Sequence, residues 1–210
     1  MARVAPFEAH TERYERWFAR HQAAYESELR ALGELLPCPG LGLEIGVGTA
    51  RFAEPLGIGI GIDPSLRMLR HALQRGIKSA CAVAEALPFC DDVFDHVLIV
   101  TTICFVDDAR SMLLEASRVL KSRGVVVLGF IDRTSHLGRH YMAHQHESVF
   151  YREAVFHSTD EVRRLLSDTG FEETTWRQTL TRSLAETTEI EPPYPGSGAG
   201  AFVAVRAIKG

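Results

Sequence analysis

Short apolar runs alternate along this chain with segments in which apolar residues recur every three or four positions. The runs at residues 41–45, 58–62, 77–83, 94–101 and 125–131 predict five β-strands. Helical periodicity predicts one or two amphipathic helices over residues 8–35, another between Ser65 and Gly76, and another over residues 107–121. The short segment after Gly48 can also form a helix. This alternation of strands and helices predicts an α/β fold with a doubly wound, mostly parallel sheet.

The last eighty residues have a different pattern. Residues 135–157 are rich in His, Tyr, Phe and Arg and lack strand alternation, whereas Ser158 and Glu161 have the spacing of a capping box at the start of a helix. That helix is expected to end at Gly170. Two further strands are predicted at residues 171–180 and 201–208, with a turn at residues 192–196 between them.

Composition and charge indicate a single domain of ordinary type over residues 1–210. The chain is 46% hydrophobic and 24% charged, with a formal net charge of −4. Its basic residues form no stripe beyond the pair Arg163-Arg164, which argues against a nucleic-acid partner because phosphate contacts supply most of the affinity for DNA or RNA. No signal peptide or long apolar run is present. We therefore expect a cytoplasmic protein without a membrane partner, as a monomer or homodimer.

Residues 41–65 carry the clearest chemical signal. The first apolar run stops at Gly46-Val47-Gly48, and the second ends at an acid, Asp63. Glycines in a turn after a strand let backbone N–H groups approach a ligand, and an acid at the tip of the next strand can accept hydrogen bonds from a ribose diol. This arrangement predicts a site for an adenosine-like cofactor.

The residues around the glycine turn narrow the choice of cofactor. The third glycine of the dinucleotide fingerprint is replaced by Arg51, which opposes NAD or FAD and a nucleotide-dependent oxidoreductase, and no Walker A triplet follows any glycine pair. Glu44, two residues before the first glycine, is placed to meet a cationic group. S-adenosylmethionine (SAM) carries an ammonium and a sulfonium, whereas NAD carries phosphates that a carboxylate repels. The charges favour SAM.

At this point the chain resembles a known family. The segments E-I-G-V-G-T-A and G-I-G-I-D-P-S resemble motifs I and II of the class I SAM-dependent methyltransferases. Residues 84–89 with 94–97, and then residues 115–125, are similar to two further blocks of the type 11 methyltransferases. Four motifs in order form a specific match. The departures are Ala50 at the third glycine, Ser122-Arg123 for the usual Pro-Gly, and Thr101 where the family often has His or Asn.

The resemblance implies a Rossmann-like sheet of seven strands with one antiparallel member. It also implies an N-terminal helical lid (residues 1–36), where Tyr14 or Trp17 would cover the cofactor, and a small substrate cap after the fifth strand (residues 133–157). A backbone N–H near Ala86 would face the adenine. The implied cofactor-binding residues are Glu44, Gly46, Gly48, Asp63, Pro64, Glu85, Ala86, Val100 and Thr101.

The implied reaction is transfer of the methyl group of SAM to a small-molecule acceptor by in-line displacement, which leaves S-adenosylhomocysteine (SAH). Positioning supplies most of the acceleration in such a reaction, so an obvious catalytic dyad is not required. Candidates for substrate contact or proton acceptance are His140, His144 and Tyr14. The spacing of His136, His140 and His144 allows a metal site on one helix face, but no acid is placed as a further ligand, and no metal is predicted. The alternative is a catalytically silent SAM- or SAH-binding regulatory protein.

Overall fold

The computed structural model describes residues 4–37 and 40–210, so residues 1–3 of the expected lid lie outside the described residues. The described residues form one eight-stranded sheet in the order β3-β2-β1-β4-β5-β8-β6-β7. Its strands are Gly42–Ile45 (β1), Ile60–Asp63 (β2), Lys78–Cys81 (β3), Phe94–Val100 (β4), Leu120–Ile131 (β5), Phe171–Thr179 (β6), Tyr194–Pro195 (β7) and Phe202–Lys209 (β8). Strands β1 to β5 pair in parallel, and β8 runs antiparallel to both of its neighbours.

The expectation of seven strands is wrong by one short strand. Residues Tyr194–Pro195, predicted as part of a turn, pair antiparallel with Gln178 and Arg177 of β6. The Gln178 side chain fixes this segment, because its Nε2 donates to the Pro195 carbonyl at 3.3 Å and its Oε1 accepts from the Ala199 N–H at 2.8 Å. A proline is compatible with this position because β7 is an edge strand.

Helices cover both faces of the sheet. They are Ala5–Ala9 (α1), Thr11–Arg20 (α2), Gln22–Gly33 (α3), Leu66–Gln74 (α4), Ala109–Val119 (α5), His136–Ala143 (α6) and Thr159–Asp168 (α7). In β4, Val97 and Ile99 pack in the core that includes α5 and α7, whereas Leu98 and Val100 pack in the core that includes α3 and α4. Both faces of β4 are therefore buried, which accounts for the apolar residues Val97–Val100 that follow one another in this strand. No helix among the described residues is long and apolar enough to cross a membrane.

The region predicted to hold one or two helices contains two, α2 and α3, because the backbone leaves the helical conformation at His21; the short α1 precedes them. One helical prediction is wrong. Residues 51–57 form successive turns and no helix. Pro55 and Gly57, the latter with φ of +73°, interrupt any helix in so short a connection. The predicted capping box of α7 is confirmed: the Glu161 N–H donates to Ser158 Oγ, and the Ser158 N–H donates to the Glu161 side chain.

Candidate active site

A cavity of about 820 Å³ opens at the carboxyl ends of β1, β2 and β4. This is the edge at which open α/β sheets bind ligands. The N-terminal helices and residues 133–157 supply the remaining walls. Of the residues predicted to bind the cofactor, the cavity is lined by Gly46, Gly48, Asp63, Pro64, Glu85, Val100 and Thr101.

The glycine turn is held in a conformation that side chains would obstruct. Gly46 has φ of +73°, and its N–H donates to the Ile62 carbonyl at 2.8 Å, which joins the turn to β2. A Cβ atom on Gly46 would lie 2.2 Å from Thr102 Oγ1, and one on Gly48 would lie 3.4 Å from the Tyr14 hydroxyl. The turn therefore needs glycine at position 46, and Tyr14 of α2 packs directly over Gly48.

Asp63 ends β2 and ties the turn to the start of α4. One carboxylate oxygen accepts from the Gly48 N–H at 3.0 Å and the other from the Ser65 N–H at 2.8 Å. Burial raises the pKa of Asp63 to about 6, although both hydrogen bonds favour its charged form. A carboxylate has about four acceptor positions, so two remain for a ligand hydroxyl pair.

Glu44 lies outside the cavity lining, and its expected contact with a cationic group stays a prediction. Its side chain is buried, and Oε2 has no hydrogen-bond partner. Burial raises the pKa of Glu44 well above its usual value, the Ala53 N–H lowers it in part, and the nearby Asp63 raises it further. Glu44 is thus a buried acid behind the glycine turn.

The other residues expected at the site follow strands β3 and β4, and only some of them line the cavity. Glu85 lines the cavity, where its Oε1 accepts from the backbone N–H groups of Asp107 and Asp108 at 2.8 and 3.2 Å. Ala86 is exposed outside the cavity lining, and its N–H donates to the Val83 carbonyl. The adenine contact expected near this residue stays a prediction. Thr101 lines the cavity with φ of +52°. A left-handed β-branched residue is strained, and such strain is concentrated at functional sites.

The three candidate catalytic residues have different surroundings. Tyr14 lines the cavity with its ring against Phe18, and burial raises its pKa above the ordinary value, which keeps the hydroxyl protonated. His144 also lines the cavity, with Nδ1 2.9 Å from the His140 carbonyl oxygen, whereas His140 itself does not line it. Nε2 of His136 lies 2.9 Å from the Arg182 carbonyl oxygen. The described residues contain no group of three or more His, Cys, Asp or Glu side chains placed to hold a metal.

An ion-pair cluster fastens α2 to the glycine turn. Glu15 accepts hydrogen bonds from the Thr49 hydroxyl and from the guanidinium groups of Arg51 and Arg75. These bonds outweigh burial and lower the pKa of Glu15 to about 2. Arg51, the residue at the third fingerprint position, therefore has a structural role: it anchors α2, the helix that covers the cavity.

The sequence interpretation missed Glu28. This residue of α3 lines the cavity, its exposed fraction is 4%, and burial raises its pKa to about 8. A signal was available, because Glu28 lies three residues after Tyr25 and four before Leu32, in the middle of the helix's apolar stripe. An isolated acid on a buried helix face is unusual unless it is paired or functional.

A glycine turn between two parallel strands, an acid at the tip of the second strand and a cavity beyond both define an α/β protein that binds an adenosine-containing cofactor. Comparison with known proteins gives the class. A sequence model of the methyltransferase domain matches residues 43–128. A crystal structure from Thermotoga maritima, described as a SAM-dependent methyltransferase and possible histamine N-methyltransferase, is 49% identical with a TM-score of 0.96, over 98% of this chain and 99% of that one.

Two curated relatives extend this comparison. An uncharacterised protein of Methanocaldococcus jannaschii is 42% identical over 203 residues, which are 97% of this chain and 98% of that protein. A ubiquinone/menaquinone biosynthesis C-methyltransferase of Rickettsia massiliae is 31% identical over 138 residues, which cover 53% of this chain and 56% of that protein. The chain belongs to the class I SAM-dependent methyltransferases.

Proposed function

We propose that this protein transfers the methyl group of SAM to a small-molecule acceptor. The observation that carries the proposal is that one cavity joins the strand ends bearing Gly46 and Asp63 to a chamber walled by the N-terminal helices and residues 133–157. In this proposal, cofactor and acceptor occupy adjoining parts of this one cavity. The volume of about 820 Å³ is in the range of small-molecule sites.

The residues at the strand ends fit the adenosine part of SAM. Asp63 has free acceptor positions for the ribose hydroxyls, and the absence of side chains at Gly46 and Gly48 lets a ligand approach the backbone. We assign further cofactor contacts to Pro64, Glu85, Val100 and Thr101, which share this part of the wall. Glu44 and Ala86 do not line the cavity, so we assign them an indirect role in supporting the turns on either side.

Bound SAM supplies a methyl group that is already activated on a positively charged sulfur. The protein's own task is to exclude water and to hold the acceptor in line with that methyl group. Tyr14 packs over Gly48, and the Glu15 cluster keeps α2 in this position, so the N-terminal helices close the cofactor end of the cavity. Val100 ends the central strand β4, Thr101 follows it, and both line the cavity.

The proposal is tested by calorimetric titration with SAH, the expected product. We expect one site per chain in the wild type. In Asp63→Ala, loss of a charged acceptor of hydrogen bonds should weaken SAH binding by about 2 kcal/mol, or roughly 30-fold. Asp92→Ala is the matched control, because Asp92 forms a surface ion pair with Lys209. Absence of SAH binding to the wild type would refute the cofactor, and unchanged affinity in folded Asp63→Ala would refute the ribose contact.

Turnover is tested separately with methyl-labelled SAM and a panel of small acceptors. Histamine belongs in the panel because the description of the Thermotoga maritima neighbour names it as a possible acceptor. Methyl transfer to one member with release of SAH supports the enzyme. SAH binding without transfer to any acceptor would favour the silent binding protein.

A further inference from the structure

Glu28 is a buried acid that faces the cavity without a partner. Its side chain is 4% exposed, and no described residue donates a hydrogen bond to its carboxyl group or forms an ion pair with it. Burial alone accounts for its raised pKa. An unpaired buried carboxylate is strongly unfavourable, and removing it does not disturb any internal bond. A ligand group that enters the cavity is the partner that this position lacks.

The surroundings of Glu28 are aromatic. Six rings that line the cavity make a continuous chain of contacts with centroid distances between 4.8 and 6.2 Å, and we call them the aromatic wall. In contact order they are Tyr14, Phe150, Phe7, Phe105, Tyr151 and Tyr141. Burial raises the pKa values of three of them, Tyr14, Tyr141 and Tyr151, and the nearby Glu28 adds to the rise. Aromatic faces attract cations, and a buried carboxylate does so more strongly.

The basic side chains of the cavity lining do not neutralise Glu28. Arg13, Arg16 and Arg20 of α2 are exposed at its solvent side, as is His144, and His21 Nδ1 lies 3.1 Å from the Trp17 carbonyl oxygen. None of them forms an ion pair with Glu28 among the described contacts. Beside the aromatic wall the cavity therefore combines the unpaired acid Glu28, three tyrosine hydroxyls and ring faces, and this combination is suited to a positively charged organic group.

We propose that the methyl acceptor is an amine, that the aromatic wall binds it as an ammonium ion, and that Glu28 accepts its proton. This inference rests on the proposed methyltransferase function and names its substrate class. An ammonium nitrogen has no lone pair, so it must lose a proton before it is methylated. An acid whose pKa lies near neutrality is suited to take that proton, whereas an ordinary carboxylate is too weak a base.

The step balances with Glu28 as the proton acceptor. The ammonium N–H bond breaks, its proton moves to a Glu28 oxygen, and its electron pair stays on nitrogen. That lone pair forms the new nitrogen–carbon bond to the methyl group as the carbon–sulfur bond breaks and its electrons remain on sulfur. The methylated nitrogen carries the positive charge. When product leaves, the proton stays on Glu28, and it is released to solvent when the next ammonium ion binds.

Proton release on binding is a readout that does not require turnover. At about pH 7 the free Glu28 side chain is mostly protonated, because its pKa is about 8. An ammonium ion that binds beside it displaces that proton, so close to one proton should leave for each amine bound. Titrations in buffers with different ionisation enthalpies measure this number. A purely structural Glu28 would release no proton.

The experiment titrates SAH-saturated protein with phenethylamine, tryptamine and cyclohexylamine, and with the alcohols in which a hydroxyl replaces each amino group. We expect at least one amine to bind more than about tenfold tighter than its alcohol. Glu28→Gln should lose this preference and the proton release but keep its affinity for SAH. Glu26→Gln is the matched control, since Glu26 is on the same helix and accepts an exposed hydrogen bond from Gln22.

The outcomes separate the two proposals. Failure of the wild type to bind SAH refutes the methyltransferase function itself. SAH binding together with no amine binding, with equal binding of amines and alcohols, or with unchanged proton release in Glu28→Gln overturns the amine assignment alone. If Glu28→Gln does not fold, the wild-type comparison of each amine with its alcohol decides, and Glu28→Asp should retain proton release with weaker binding.

Discussion

Replacing Glu28 by glutamine should make the protein more stable at high pH and leave little difference at low pH. In the folded protein burial raises the pKa of Glu28 from 4.5 to about 8, because the ionised form has no partner in the cavity. Between pH 4.5 and about pH 8, Glu28 therefore carries fewer protons in the unfolded chain than in the folded protein. Stability of the wild type therefore falls as pH rises from about 4.5 to about 8, and glutamine cannot contribute to this loss.

The size of the effect follows from the two pKa values. A difference of one between the folded and unfolded pKa corresponds to about 1.4 kcal/mol, and a change from about pH 5 to about pH 8 covers most of the interval. The free energy of unfolding of Glu28→Gln, relative to the wild type, should therefore rise by roughly 3–4 kcal/mol between these two conditions. Tyr14, Tyr141 and Tyr151, which face Glu28, do not titrate in this range because burial raises their pKa values. Exposed His144 is present in both proteins, so it is common to both sides of the comparison.

The assay is urea unfolding of both proteins at the two pH values, with Glu26→Gln as a control. At each pH the free energy of unfolding of the wild type is subtracted from that of the mutant, and the two differences are compared. Any effect of the amide group that does not depend on pH therefore cancels. Glu26, with its exposed hydrogen bond to Gln22, should show no comparable pH-dependent gain. An equal difference at both pH values for Glu28→Gln would refute the account of Glu28 as an unpaired buried acid. Such a gain in stability is the usual consequence of removing a functional group from a binding site.

Two further changes test the walls of the cavity. Gly46→Ala would place a Cβ atom 2.2 Å from Thr102 Oγ1, at a residue whose φ is +73°. We therefore expect the variant to lose about 2 kcal/mol of stability and to bind SAH more weakly. A melting temperature equal to that of the wild type would contradict the turn geometry. Glu15→Gln would weaken the pairs to Arg51 and Arg75, so limited proteolysis should cut the N-terminal helices faster. Because folding lowers the pKa of Glu15 to about 2, the stability that Glu15 contributes to the folded protein is present above pH 4.5 and is lost as pH falls towards 2. An unchanged cleavage rate in Glu15→Gln would show that α2 is held by packing alone.

Much of the cofactor site could be predicted because its chemistry is contiguous in the chain. The glycine turn and Asp63 lie within twenty residues of each other, and the spacing of strand, turn and acid restricts where they meet. The structure brings Gly46, Gly48 and Asp63 to the cavity. The contacts expected for Glu44 and Ala86 stay predictions, because neither residue lines the cavity. The Ala86 N–H is used in a local turn, and Glu44 is buried behind the loop.

The fold shows the same division between pattern and detail. Apolar runs identified the five parallel strands, and the Ser158 capping box identified the start of α7. The two-residue strand β7 is too short to show an apolar pattern. Its position beside β6 is supported by the hydrogen bond from the Gln178 side chain, which a sequence pattern does not reveal. The turns at residues 51–57 replaced a helix because a connection containing Pro55 and Gly57 is too short and too irregular to propagate one.

The sequence alone therefore determined the class of fold, the position of the glycine turn and the kind of cofactor, because these depend on local spacing and backbone freedom. The acceptor end of the cavity was decided only by the tertiary structure. Glu28, Phe105, Tyr141 and Tyr151 come from segments far apart in the chain and carry no shared motif. Packing of α3 and of residues 133–157 against the sheet brings them together. Burial then raises the pKa of a glutamate that has no partner in the protein. The spacing of residues in the sequence does not show which of them will be buried in this way.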